Sequence, residues 1–302
     1  MRIGKLEKIK LTSSTVAGST YNEYAAGTTY AAGDNVKVSF EADGITPRTP
    51  VEEYTAIDSS NTGNYPPDNP THWSGLGAEN RWKMFDNYVN TQTEDTTSIE
   101  VVVDSSNTNL VGFFSLLAKS VTLELSAYGS VKSTETIDLT SLPGGSWYSY
   151  FFDETVYKTS FLYDITLYAA SSLKVTITYL PGEQVKCGMM AIGRQYDVGK
   201  AYYTPSIELI DYSIKETDTL GRTYLKKGNF ADKINVDFWM GNGQLDAVKK
   251  ILDSVRGTPT IFDCNNDTNY SSLISYGSAG ALTITVPGPK KSKASIEIEG
   301  LT

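Results

Sequence analysis

The chain has 302 residues, of which 40% are hydrophobic and 20% charged, with a formal net charge of −9 and a pI near 4.8. That apolar share excludes wholesale disorder, and the acidic balance excludes a surface that grips a phosphate backbone directly. The 20 Tyr, 10 Phe and 4 Trp are the composition of strands rather than helices. No stretch approaches the roughly 20 apolar residues of a bilayer span, so no membrane insertion is expected. The opening Met-Arg-Ile-Gly-Lys-Leu-Glu-Lys lacks the apolar run of a secretory signal, and synthesis in the cytosol is expected.

In chain order, residues 1–20 read as an N-terminal strand or arm. Asn35–Phe40 puts Val36, Val38 and Phe40 on one face of a strand. Residues 41–80 are loop-rich, with Pro47, Pro50, Pro66, Pro67 and Pro70 among Asn, Gly and Ser. Further strands follow from alternation at Val121, Leu123 and Leu125, then at Val175, Ile177 and Tyr179, and from the apolar run 98–103. Charged residues around Gly221 mark a hairpin tip, and Ile234, Val236 and Phe238 form the next strand. Residues 244–256 break the pattern. Leu245, Val248, Ile251, Leu252 and Val255 form one helical stripe, Asn242 reads as the cap, and Gly257 with Pro259 reads as the stop. Asp246 and Lys250 add an i,i+4 pair. Strands at 260–264, at Leu282, Ile284 and Val286, and at Ile296 and Ile298 close the chain. The reading is mainly β, a set of β-sandwiches in several domains with one flanking helix.

Between residues 21 and 78, Tyr21 and Tyr24 precede Tyr30-Ala31-Ala32-Gly33-Asp34-Asn35-Val36, then Tyr54-Thr55-Ala56, a Gly63-Asn64-Tyr65-Pro66 loop and Trp73. This order resembles the small carbohydrate-binding modules of chitinases and of many phage tail proteins. A pyranose ring presents an apolar C–H face that stacks on flat aromatic rings, and the resemblance implies such a role for Tyr30, Tyr54 and Trp73. The chain departs from the pattern in two places. Tyr21 or Tyr24 stands where the family usually has Trp, and 41–50 is a longer insertion. These departures leave room for a retained fold that decorates a particle or contacts a neighbouring subunit.

Residues 79–195 open with Glu79-Asn80-Arg81-Trp82-Lys83-Met84-Phe85-Asp86 and contain Gly145-Ser146-Trp147-Tyr148-Ser149-Tyr150-Phe151-Phe152. The first block resembles the phage tail proteins in which it opens a jelly-roll β-sandwich, and the region is more loosely similar to galactose-binding-like sandwiches. Large aromatics on alternating strands are expected as core, and Arg81 as the partner of Asp86 or another acid. Residues 196–302 resemble the distal-tail and tail-tube-like families, which build rings by joining sheets edge to edge. A closed ring satisfies exposed edges by symmetry. These likenesses imply a virion component made in the host cytoplasm. It would form a homo-oligomer ring with other tail proteins and contact host-surface polysaccharide. A glycan-binding adhesin without a ring is the alternative.

No chemistry points to an enzyme. His72 is a lone loop histidine with no cluster to make a metal site. Glu52-Glu53, Glu94-Asp95 and Asp153-Glu154 are sequence neighbours, which point to opposite faces of a strand rather than at one substrate. Asp263, Asn265, Asn266 and Asp267 lack a calcium-loop pattern and read as a turn, as do Pro143, Gly144 and Gly145. Cys187 and Cys264 read as reduced thiols, with a bridge between them left open. No cofactor and no metal are expected.

Overall fold

The computed structural model describes residues 1–141, 147–148, 156–179, 182–202, 205–218, 221–265, 270–288 and 290–301. The protein is mainly β, built on an 11-stranded sheet, a 5-stranded sheet and smaller ones.

The 5-stranded sheet runs in the order Ser130–Asp138, Ser120–Ala127, Ser171–Thr178, Ser98–Asp104, Leu11–Ser14. Its period-two pattern buries one face: Ile99, Val101 and Val103, then Val121, Leu123 and Leu125, then Leu173, Val175 and Ile177. That face meets Val111, Phe113, Met190 and Ile192 of the large sheet to form the main core. Burying each such side chain contributes about 1.5–3 kcal/mol. The strands Leu110–Leu117 and Val185–Asp197 are covered on both faces, which explains their near-continuous apolar runs. Their second face, with Leu110, Phe114, Met189 and Ala191, packs on Ile261 and Tyr276 from the C-terminal part.

The strand Arg2–Leu6 lies between Val185–Asp197 and Thr260–Asp263, antiparallel to both. It joins the middle and C-terminal parts in one sheet, and the boundary expected at 195/196 falls inside the Val185–Asp197 strand. Gly4 lets the strands pack closely there: a Cβ would stand 2.4 Å from Leu110 Cδ2 and 3.2 Å from Ile261 Cβ, and the Leu110 side chain would have to shift.

The C-terminal part continues the sheet through Ile274–Thr285, Lys291–Gly300 and Phe230–Gly241. Ile234, Val236, Phe238 and Met240 alternate onto one face, where Val248 and Leu252 of the helix pack. The helix spans Leu245–Val255 and stops at Gly257, whose φ of +70° suits glycine. Asn242 is not its cap. A 3-10 turn Asn242–Gln244 precedes the helix, and the Asn242 side chain instead donates to Gly288 O and accepts from Ser292 Oγ. Asp246 and Lys250 form no ion pair among the described residues, so the helix rests on its apolar stripe.

Residues 22–78 form a separate small sheet in the order Asn22–Glu23, Asn35–Phe40, Pro47–Ala56, Trp73–Ala78, with its own core. Phe40 does not join Val36 and Val38 in that core, because the pairing shifts between Val38 and Phe40 and leaves the ring exposed.

Candidate functional site

In the small module Val36 pairs with Tyr54, and Tyr54 with Gly75, so these positions share a face with Ala56 and Trp73. Tyr24, Tyr30 and Trp73 close over that face. Tyr30 and Trp73 meet edge-on at 5.2 Å between centroids, and Tyr24 stacks on Tyr30 at 5.8 Å. Trp73 Nε1 donates to Asn64 O at 2.9 Å, and the Tyr30 hydroxyl accepts from Ala25 N. Tyr30 is 8% exposed and Trp73 2%. Both rings are core, and neither offers an open face for a sugar in this conformation. Their order was legible in the sequence; their inward direction was not. Tyr24 also lies edge-on against Trp73 at 5.9 Å between centroids.

Tyr54 is different, being half-buried with its hydroxyl donating to Glu52 Oε2 at 2.7 Å. Arg48 bridges Glu52 at 2.9 Å and Glu41 at 3.3 Å. Burial pushes the Tyr54 phenol well up, and the adjacent Glu52 carboxylate adds to the shift. The 41–50 insertion thus supplies Glu41 and Arg48 to one polar cluster at the edge of the module. Sequence reasoning missed this cluster; its signal was the opposite charges carried by the insertion and the following strand.

The block beginning at Glu79 is a structural plug. Its 3-10 turn Asn80–Phe85 buries Trp82, Met84 and Phe85 in the main core. The Asn80 side chain clasps the Glu94 backbone at both N–H and C=O, and Thr93 Oγ1 links Asn80 O to Met84 N. Arg81 pairs with Glu79, not Asp86. Asp86 accepts from Tyr88 N and Thr91 Oγ1, and burial raises its pKa above the usual carboxylate range. The buried Glu79 also accepts from Ser19 N at 2.8 Å, tying the start of the module to the body.

The remaining candidates disperse. His72 is partly exposed, with Nδ1 2.7 Å from Asp58. Glu52 and Glu53 register against Val38 and Lys37 and so face apart, while Glu94 pairs with Lys186. Asp263 engages Arg2 and orients Asn265, whereas Asn266 and Asp267 lie outside the described residues. Pro143, Gly144, Gly145, Phe151, Phe152, Asp153 and Glu154 also lie outside them. Trp147 was expected in the core with the other large aromatics, yet it is 81% exposed, and 147–148 are helical rather than part of an alternating strand. Cys187 and Cys264 are both buried and free; they belong to different cores, so no bridge joins them.

A second surface stands out in the C-terminal part. Among the described residues, the strand Ser206–Asp211 pairs only with Phe230–Gly241 and its outer edge has no partner strand. From it rises a hairpin, Ile214–Thr217 with Thr223–Lys226, closed at Asp218 and Gly221. Every residue of both hairpin strands is exposed. Ile214, Tyr224 and Leu225 are therefore wet, Leu225 to 75%, alongside Leu209 and Phe230. The base is fixed: Tyr212 N donates to Asn229 O, and Gly228 N to Ser213 Oγ. The geometry is an anchored apolar arm with nothing of this chain covering it among the described residues. No protein-family model matches the chain, and no curated protein matches it.

Proposed function

We propose that this protein is a structural component of a bacteriophage tail, placed at its distal end, that assembles as a ring with copies of itself and with adjoining tail proteins. The observation that carries the reading is the uncovered arm 206–230. A lone two-stranded hairpin is marginal in water, and an open edge beside exposed Leu209 and Leu225 invites pairing. A neighbour's sheet edge supplies both the missing hydrogen bonds and the apolar cover, and a closed ring repeats that contact without leaving a free end. The order of motifs from the aromatic module to the C-terminal sheet supports the tail assignment. The role proposed is non-enzymatic.

Native mass spectrometry and light scattering of the purified chain test the proposal. The unaltered protein should form one closed oligomer, and Leu209→Asp with Leu225→Asp should yield monomers of unchanged circular dichroism. A monomer at every accessible concentration, or an oligomer indifferent to both substitutions, overturns it.

Glycan attachment is the second reading. In the module it rests on Tyr54, the one of the three named aromatics that is only half-buried, beside the Arg48–Glu52 pair. Because Trp73 is core, Trp73→Ala should unfold the module rather than selectively abolish binding; Tyr54→Ala is the informative variant.

A further inference from the structure

The outer face of the C-terminal sheet and the short strand Phe161–Asp164 enclose a cleft of about 780 Å³. That volume falls within the usual range for small-ligand sites. Lys200, Trp239 and Lys293 are directly opposite one another on three adjacent strands, so their side chains share one face. It is the face turned away from the helix, because Phe238 and Met240 point into the helix-covered core. Tyr202 leans on Trp239 with ring centroids 5.5 Å apart, and both rings stay partly exposed. Tyr163, also partly exposed, lines the opposite wall.

The charges in the cleft divide into used and unused. Arg2 is held by Asp164 at 2.7 Å and by Asp263; beside the cleft, Lys293 is held by Asp237 at 2.7 Å. Lys158 and Lys200 line the cleft, are exposed, and have no ion-pair partner among the described residues. On a chain of net charge −9, the cleft gathers these two unpaired ammonium groups beside an aromatic pair, with the Asp197 carboxylate, which accepts from Gly199 N, on the same lining.

We propose that this cleft binds an acidic saccharide, a glycan bearing uronate or sialate units. One sugar ring stacks on Trp239, flanked by Tyr202, whose plane is tilted 46° to it and whose own face is met by Lys293 Nζ at 5.6 Å, and the sugar's carboxylate is taken by Lys200 and Lys158. The apolar C–H face of the ring matches the aromatic pair, and the anion matches the unpaired lysines. A neutral sugar gains only the stacking. The proposal deepens the glycan reading by moving the contact out of the small module, and it does not rest on ring assembly.

A glycan array carrying uronate-bearing, sialate-bearing and neutral oligosaccharides, followed by calorimetric titration of the full chain, tests it. Acidic glycans should bind, and more weakly as salt is raised. Trp239→Ala should weaken that binding by about tenfold or more. The double variant Lys158→Ala and Lys200→Ala should reduce acidic glycans to the level of neutral ones, while Tyr54→Ala changes nothing. The lysine pair is exposed, so its loss spares the fold and decides the matter should Trp239→Ala fail to fold. Absence of binding to any acidic glycan overturns the proposal. So does equal binding of neutral glycans, or loss on Tyr54→Ala without loss in the lysine variant. Neutral-glycan binding that is lost on Tyr54→Ala, with no acidic binding, counts against the cleft and leaves the module reading standing.

Discussion

At the scale of single residues, the buried polar groups show how the chain is pinned together. Glu79 is fully buried and serves two partners, the Ser19 amide and the Arg81 guanidinium. Glu79→Ala leaves a backbone donor and a half-covered cation without acceptors. It should cost about 2–3 kcal/mol in urea unfolding, toward the lower end for a broken pair because Arg81 stays partly solvated. The two thiols give a second outcome. Burial pushes the Cys187 thiol far up and the Cys264 thiol up to about 12 from an ordinary value of 9.0, with Asp263 adding to the latter. A group whose folded pKa is raised contributes stability that is whole below its unfolded pKa and is lost as pH rises toward the folded one. Stability should therefore decline as pH climbs above about 9. Neither thiol should react with a maleimide or disulfide reagent at neutral pH until the protein is unfolded; prompt reaction of either in the native state would contradict this burial.

At the scale of elements, the helix was legible because its stripe recurs every three or four residues, and the structure buries Val248, Leu252 and Val255 of that stripe. Its cap was not legible, since a side chain such as Asn242 is claimed by whichever backbone group the tertiary fold brings near. Leu252→Ala should lose about 2–4 kcal/mol, whereas Lys250→Ala, on the solvent face, should stay within about half a kcal/mol; comparable losses at both would mean the helix does not pack as described. Strands covered on one face were legible from alternation, as at Val121, Leu123 and Leu125. The strand Arg2–Leu6 was not identified as central, because five residues with a glycine in the middle carry little periodicity. The candidate aromatics show the same limit. The resemblance singled out Tyr30, Tyr54 and Trp73 together, but could not show that two of them face inward. The Tyr202 and Trp239 pair escaped notice because its members are far apart in sequence and meet only through the register of their strands.

At the scale of the whole molecule, one sheet unites regions that composition alone had set apart. The Arg2–Leu6 strand carries ladders to the middle part on one side and to the C-terminal part on the other, and Ile3 is wholly buried in the helix-covered core. Opening that strand exposes two sheet edges at once and separates Ile261 and Tyr276 from Leu110 and Phe114. The body should therefore unfold as one unit. The small module has its own core and reaches the main one through Val51 and Ala78, so it should open at lower free energy. Native-state hydrogen exchange distinguishes these layers. Amides of Ser171–Thr178 and of Leu245–Val255 should share one opening free energy, above that of Asn35–Phe40. Ile3→Asp places an unpaired charge in the core at a cost of several kcal/mol. It should uncouple the two groups, with the helix amides losing protection well before those of Ser171–Thr178. Equal and simultaneous loss at both would show that the sheet is held together elsewhere. Two separate opening energies already present in the unaltered protein would show that the shared strand does not couple the two parts at all.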